Sequence, residues 1–152
     1  MYKLNLKQSN ELKIVKSNFL EMDKKILITA SILAITGIIL GAFGAHKLKQ
    51  LLSFESLMAF ETGVRYQMYH VFLLLFLAVF NKIDVVAKRN IALLIVSGVL
   101  LFSGSIYVLS TREVTGLNIS AFGVVTPIGG VLLILGWGLL LCNFFKLNSV
   151  RP

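Results

Sequence analysis

Residues 60 to 70 hold the side chains best suited to chemistry: Glu61, Thr62, Arg65, Tyr66, Gln67, Tyr69 and His70. At four-residue helical steps, Glu61, Arg65 and Tyr69 form one stripe, and Thr62, Tyr66 and His70 form a second beside it. Ionisable groups set this way at membrane depth are what an ion or proton pathway uses. A plainer reading also fits: Glu61 neutralises Arg65 at an interface while Tyr66 and Tyr69 form an aromatic belt. His70 suits that second reading least, since it lies farthest from the charged end and needs a buried hydrogen-bond partner. His46 and His70 together could offer two axial ligands to a haem. His70 lies roughly 10 Å deeper than His46 at about 1.5 Å per helical residue, so no haem site is expected.

These residues need an element to hold them, and the chain around them is strongly apolar. Of 152 residues, 57% are hydrophobic and 14% charged, well below the roughly 25% charged composition of a soluble domain. Four stretches long enough to cross a hydrocarbon core of about 30 Å are expected near residues 26–45, 64–81, 91–110 and 127–145. The fold class is therefore all-α: four transmembrane helices in a compact bundle. Thr126 and Pro127 suit the cap and first position of the fourth helix. Ser53 could cap a short amphipathic helix carrying Phe54, Leu57 and Met58 between the first two spans.

Residues 1–21 are polar and are expected as a flexible cytoplasmic arm or an overextended start, since Met22-Asp23-Lys24-Lys25 directly precedes the first span. Residues 22–146 form the membrane domain and 147–152 a short tail. Lys24-Lys25, an apolar run and Ala42-Phe43-Gly44-Ala45 imitate a signal peptide, but a twenty-residue core exceeds the usual 7 to about 15 and suits a span.

Orientation follows from Lys and Arg counts. With four spans, one side carries eleven of these residues and the other only Lys47, Lys49, Arg65 and Arg112. Setting aside the first four lysines leaves seven against four, so both termini are expected in the cytoplasm. The net charge of +8 belongs to this flanking pattern and to anionic headgroups, and no nucleic-acid partner is expected. The lone Cys142 excludes an intrachain disulfide. Phosphate-loop, zinc-protease and nucleophile-elbow motifs are absent, and neither a metal nor a cofactor is expected.

Small residues mark helix contacts. Gly37 and Gly41 form a Gly-x-x-x-Gly pair that Ala45 extends, with Gly44 nearby; Gly104 lies on the third span and Gly129, Gly130 and Gly136 on the fourth. They predict packing within the bundle or, as an alternative, a homodimer face.

Five segments also carry a resemblance: Gly41-Ala42-Phe43-Gly44-Ala45-His46, Phe60 to His70, Ser103-Gly104-Ser105-Ile106-Tyr107, Thr126-Pro127-Ile128-Gly129-Gly130, and Gly136-Trp137. In this order they resemble the family called domain of unknown function 423, small bacterial inner-membrane proteins similar to transmembrane protein 256. Lys47 stands where that family often has glycine, and the arm before Met22 is longer than usual. The resemblance implies a multi-pass membrane protein and assigns no activity. The expected function is a non-enzymatic accessory, assembly or structural module in the bilayer, alone, as a homodimer or with another membrane protein. The alternative is a small transporter or channel, dimeric or not, with a polar entrance at residues 61–70.

Overall fold

The computed structural model describes residues 2–116 and 122–148, with side chains described for residue 17 and for residues 19–116 and 122–147. In chain order the elements are α1 (Tyr2–His46), a 3-10 turn (Leu48–Gln50), α2 (Phe54–Val79), α3 (Val85–Ser110), the single turn α4 (Arg112–Thr115) and α5 (Phe122–Asn148). Among the described residues all regular structure is helical, and four helices are long and apolar enough to cross a membrane.

Residues 2–21, expected as a flexible cytoplasmic arm or an overextended start, are helical and run on into the first span as part of α1. The physical reason is local: no glycine or proline occurs before Gly37 to interrupt the helix. At about 1.5 Å per residue α1 is roughly 68 Å long, so only part of it fits a core of about 30 Å. The separate amphipathic helix expected after α1 is only the 3-10 turn Leu48–Gln50. Ser53 does cap, accepting from the Ser56 amide at 3.3 Å, but it caps α2 itself, and Phe54, Leu57 and Met58 belong to the spanning helix. The fourth helix also starts earlier than expected. Pro127 lies inside α5 rather than at its first position. Thr126 bonds back to the Phe122 carbonyl at 3.4 Å and pairs with Ser105 at 2.6 Å, bridging α3 and α5 instead of capping. The proline sits in the second turn, where it removes only one backbone bond.

Asp84 caps α3 by accepting from Val86 and Ala87 amides, both at 3.0 Å, and fixes the reversal after α2. Gly116 ends α4 with φ of 67°, a left-handed conformation natural to glycine.

The helices pack in sequence order: α1 on α2, α2 on α3, α3 on α5, with a lesser α1–α3 contact. Leu74, Leu77, Ile91 and Ile95 are fully buried where α2 and α3 meet the flanking helices. Ile32, Ile35, Ile38 and Ile39 on α1, and Ile134, Leu135, Leu141 and Phe145 on α5, are exposed and face hydrocarbon. Since lipid is as apolar as these side chains, close packing and internal hydrogen bonds must hold the helices together.

The contacts fix a register. Along α1, Gly37, Gly41 and Gly44 oppose Met68, Val64 and Phe60 of α2, and Gly63 of α2 opposes Ile106 and Tyr107 of α3. The midpoint of the uncharged stretch 26–45, near Ile35 and Thr36, is thus level with Tyr69 and His70. The midpoint of 91–110, near Leu100, falls at the same height. His70 therefore sits at about the middle of the apolar slab, Gln67 about 4 Å above it and Glu61 about 13 Å above it along the helix axis.

Candidate functional site

Gln67 is buried to 3% exposure on α2, and every polar atom of its side chain has a partner. Its amide nitrogen donates to the Leu33 carbonyl at 2.7 Å and to Thr36 Oγ1 at 2.9 Å, while its oxygen accepts from the Tyr107 hydroxyl at 2.8 Å. Thr36 can accept because its own hydroxyl donates within α1, to Ile32 or Leu33 carbonyls at 3.0 Å. One amide thus ties α1, α2 and α3 together at mid-depth. Two glycines make room for it. A Cβ at Gly37 would lie 2.9 Å from Met68 Sδ and 3.3 Å from Gln67 Nε2, and one at Gly63 would lie 2.8 Å from the Tyr107 ring.

His70 faces the other way, toward α5. Its Nδ1 lies 2.7 Å from the Tyr66 carbonyl, and the Trp137 indole N–H donates to its Nε2 across 3.3 Å. Together these contacts define the neutral ring with the proton on Nδ1, because a carbonyl can only accept and an indole N–H can only donate. This is the buried partner the sequence demanded for His70. Both ring nitrogens are engaged, so the lone pair that would bind haem iron is taken up by Trp137.

Around this bond α2 and α5 stand apart. No Cα atoms of the two approach within 8 Å among the described residues, and long side chains bridge the gap. The result is a cleft of about 570 Å³ lined by Tyr66, Tyr69, His70, Phe102, Leu133 and Trp137, with Gly130 and Ile134 at its α5 wall. Tyr66 packs on Phe102 with ring centroids 4.8 Å apart. Tyr69 is 58% exposed, Ile134 71% and Trp137 49%, so the cleft opens sideways toward lipid. Phe76, Phe80 and Phe144 close the same gap farther down, with centroids 5.1–6.3 Å apart.

The remaining predicted residues lie outside this interior. Glu61 and Arg65 pair at 3.6 Å on the surface, and Arg65 also donates to Thr62 at 2.7 Å, crossing between the two stripes. His46 is exposed at the end of α1, away from Gln67 and His70. The predicted cluster is therefore three things: an exposed charged stripe, a buried amide node, and a histidine facing α5.

Of the predicted packing glycines, Gly37, Gly41 and Gly44 lie against α2; Gly129 and Gly136 lie against α3, where a Cβ at Gly129 would run into the Phe102 backbone. Gly130 has only ordinary distance to the Phe102 ring, 3.7 Å. A Cβ at Gly104 meets nothing within 4 Å, so this glycine makes no close helix contact within the chain.

Sequence reasoning missed a second node at the opposite end. Lys88 is fully buried; its ammonium bonds Asp23 at 2.6 Å, the Ala78 carbonyl at 3.0 Å and Asn81 at 3.4 Å, with the Phe19 ring centroid 5.9 Å away. It clamps α1 onto the α2–α3 reversal. A lysine counted as a flanking charge gave no hint of a partner 65 residues away. Tyr107 and Trp137 were legible in principle, since a hydroxyl and an indole N–H in uncharged spans must find acceptors.

Four antiparallel helices, mid-depth polar nodes and a lateral aromatic cleft define a polytopic α-helical membrane protein. The chain belongs to the family described as a protein of unknown function, DUF423, whose family model matches residues 40–130. It is similar to UPF0382 membrane protein SSP2132 of Staphylococcus saprophyticus, 36% identical over 124 residues that cover 82% of this chain and 99% of the relative. YwdK of Bacillus subtilis is 39% identical over 118 residues, 75% and 90% of the two chains. The inner membrane protein YgdD of Escherichia coli is 35% identical over 129 residues, 80% and 90%. No solved structure matches the chain.

Proposed function

We propose that this chain is a non-enzymatic accessory or structural module of the cell membrane, with both termini in the cytoplasm. The supporting observation is that near mid-depth Gln67, Thr36 and Tyr107 satisfy one another, as do His70 and Trp137, and that Ser103 carries the one buried side-chain oxygen left without a partner among the described residues. A transport path needs polar atoms free to replace the hydration of a permeant ion. The remaining charges near that path, Glu61 and Arg65, pair with each other on the outer surface. The Lys and Arg asymmetry supports the orientation, and the name of the Escherichia coli relative supports the inner membrane.

The test is reconstitution into sealed vesicles with proton and potassium flux measured against protein-free vesicles. Equal flux is expected. Flux above background that Glu61→Gln abolishes would replace this reading with the transport alternative. Reporter fusions in the 47–53 turn and after residue 152 check the orientation, with only the second expected to read cytoplasmic.

A further inference from the structure

The α2–α5 cleft lies in the hydrocarbon, and protein side chains leave it open. Water held there would need two to four polar partners; the His70 and Trp137 nitrogens already have theirs, which leaves the Tyr66 and Tyr69 hydroxyls on a wall that is otherwise apolar. Its volume of about 570 Å³ falls in the range of small-molecule sites, and its exposed walls admit an occupant from the side. The natural occupant is an apolar chain.

The charges above the cleft say what that chain is attached to. Going outward on one face of α2, Tyr69 at the cleft is followed by Arg65 and then Glu61, each step about 6 Å along the axis. Arg65 and Glu61 are 45% and 43% exposed at their side chains. The guanidinium has five donors; its contacts to Thr62 at 2.7 Å and Glu61 at 3.6 Å leave others for a ligand. A long arginine stem lets the charged head reach the headgroup level, where guanidinium suits a phosphodiester. A phospholipid bearing an amine presents the same order outward: acyl chain, phosphate, ammonium. A headgroup without an amine would instead set negative charge against Glu61.

We propose that the cleft seats one acyl chain of an aminophospholipid, with its phosphate on Arg65 and its ammonium toward Glu61. The site lies in the leaflet on the side of the α1–α2 turn. It goes beyond the module reading and does not depend on it, since vesicle flux and lipid selectivity are separate measurements.

Trp137 is the only tryptophan in the chain and lines the cleft, so chain-brominated lipids can report occupancy by quenching it. The full-length protein is placed in bilayers of phosphatidylethanolamine and phosphatidylglycerol, with one or the other brominated. At equal mole fraction the ethanolamine lipid is expected to quench more, with a relative binding constant about two- to fivefold higher, the range an exposed ion pair supplies. The difference should vanish in Glu61→Gln, a surface change that leaves the interior intact. Gly130→Leu should lower quenching by both lipids, since a Cβ there lies an ordinary 3.7 Å from the Phe102 ring and the longer side chain fills the cleft; Ile134→Phe serves as a second plug. Coincident curves for the two lipids in the wild-type protein, or a preference that survives Glu61→Gln, would overturn the proposal. So would quenching unchanged by both plugs.

Discussion

Replacing Gln67 by methionine, alone and with Tyr107→Phe, tests whether the mid-depth amide holds three helices together. Gln67 makes three bonds of 2.7–2.9 Å. Interhelical hydrogen bonds in membranes average about 0.6 kcal/mol and reach about 1.7, so their loss should cost about 2 kcal/mol. Stranding the Tyr107 hydroxyl adds about 1 kcal/mol, giving about 3 for Gln67→Met. Tyr107→Phe loses one bond and strands the Gln67 oxygen, for about 1–2 kcal/mol. In the double variant the shared bond is lost once and neither the Tyr107 hydroxyl nor the Gln67 oxygen is left stranded, so it should cost about 2 kcal/mol and fall short of the sum by about 2–3 kcal/mol. Reversible unfolding in mixed lipid–detergent micelles, followed by circular dichroism, measures each step. Two single effects that add within about 0.3–0.5 kcal/mol would show that the amide and the phenol are not coupled, and the node would fall with them.

Gly129→Ala should destabilise by about 1–3 kcal/mol through overpacking against the Phe102 backbone, whereas Gly104→Ala should be neutral or gain up to about 1 kcal/mol of helix propensity; the same unfolding assay separates them. Asp23→Asn should cost several kcal/mol, on the order of 3–5, because it leaves the fully buried Lys88 ammonium with only the neutral Ala78 carbonyl and Asn81, and more than Lys88→Met, which removes the buried charge and leaves a part-exposed carboxylate. Trp137→Phe removes the donor to His70 Nε2, so the nitrogen-15 signal of Nε2 should shift toward that of an acceptor without a hydrogen bond while the Nδ1 signal stays protonated; an unchanged Nε2 shift would mean that the indole bond is not made.

The spans were legible because hydropathy and length act over twenty residues at once, and local errors cancel. Boundaries were not, because helix continues wherever nothing breaks it: α2 begins ten residues before the expected 64, and Lys88 lies inside α3 although hydropathy puts it outside the membrane. Within the site, stripe geometry correctly paired Glu61 with Arg65, an interaction four residues apart. Gln67 and His70 were named from their types, but their partners on α1, α3 and α5 lie 31 to 67 residues away. Neighbours on one helix can be read from spacing; neighbours across helices depend on register. The register was set by small residues, of which Gly37, Gly41, Gly44, Gly129 and Gly136 stood out in the sequence while Gly63 and Gly98 looked like isolated glycines.

Those glycines also explain why the cleft exists. Gly98 lies against Leu133, Gly136 against Ile95 and Gly129 against the Phe102 backbone, so α5 is drawn tightly across one face of α3. On the far side, Gly37, Gly41 and Gly44 draw α1 onto α2. Both close approaches are made to neighbours in sequence, and neither pulls α5 toward α2. The remaining gap is wider than aliphatic side chains span, and aromatic rings and His70 cross it instead. A glycine contact that tightens one helix pair thus opens the space beside it, and enlarging Gly136, where a Cβ would meet Ile95 and Leu94, should loosen α5 and alter the cleft without touching any residue that lines it.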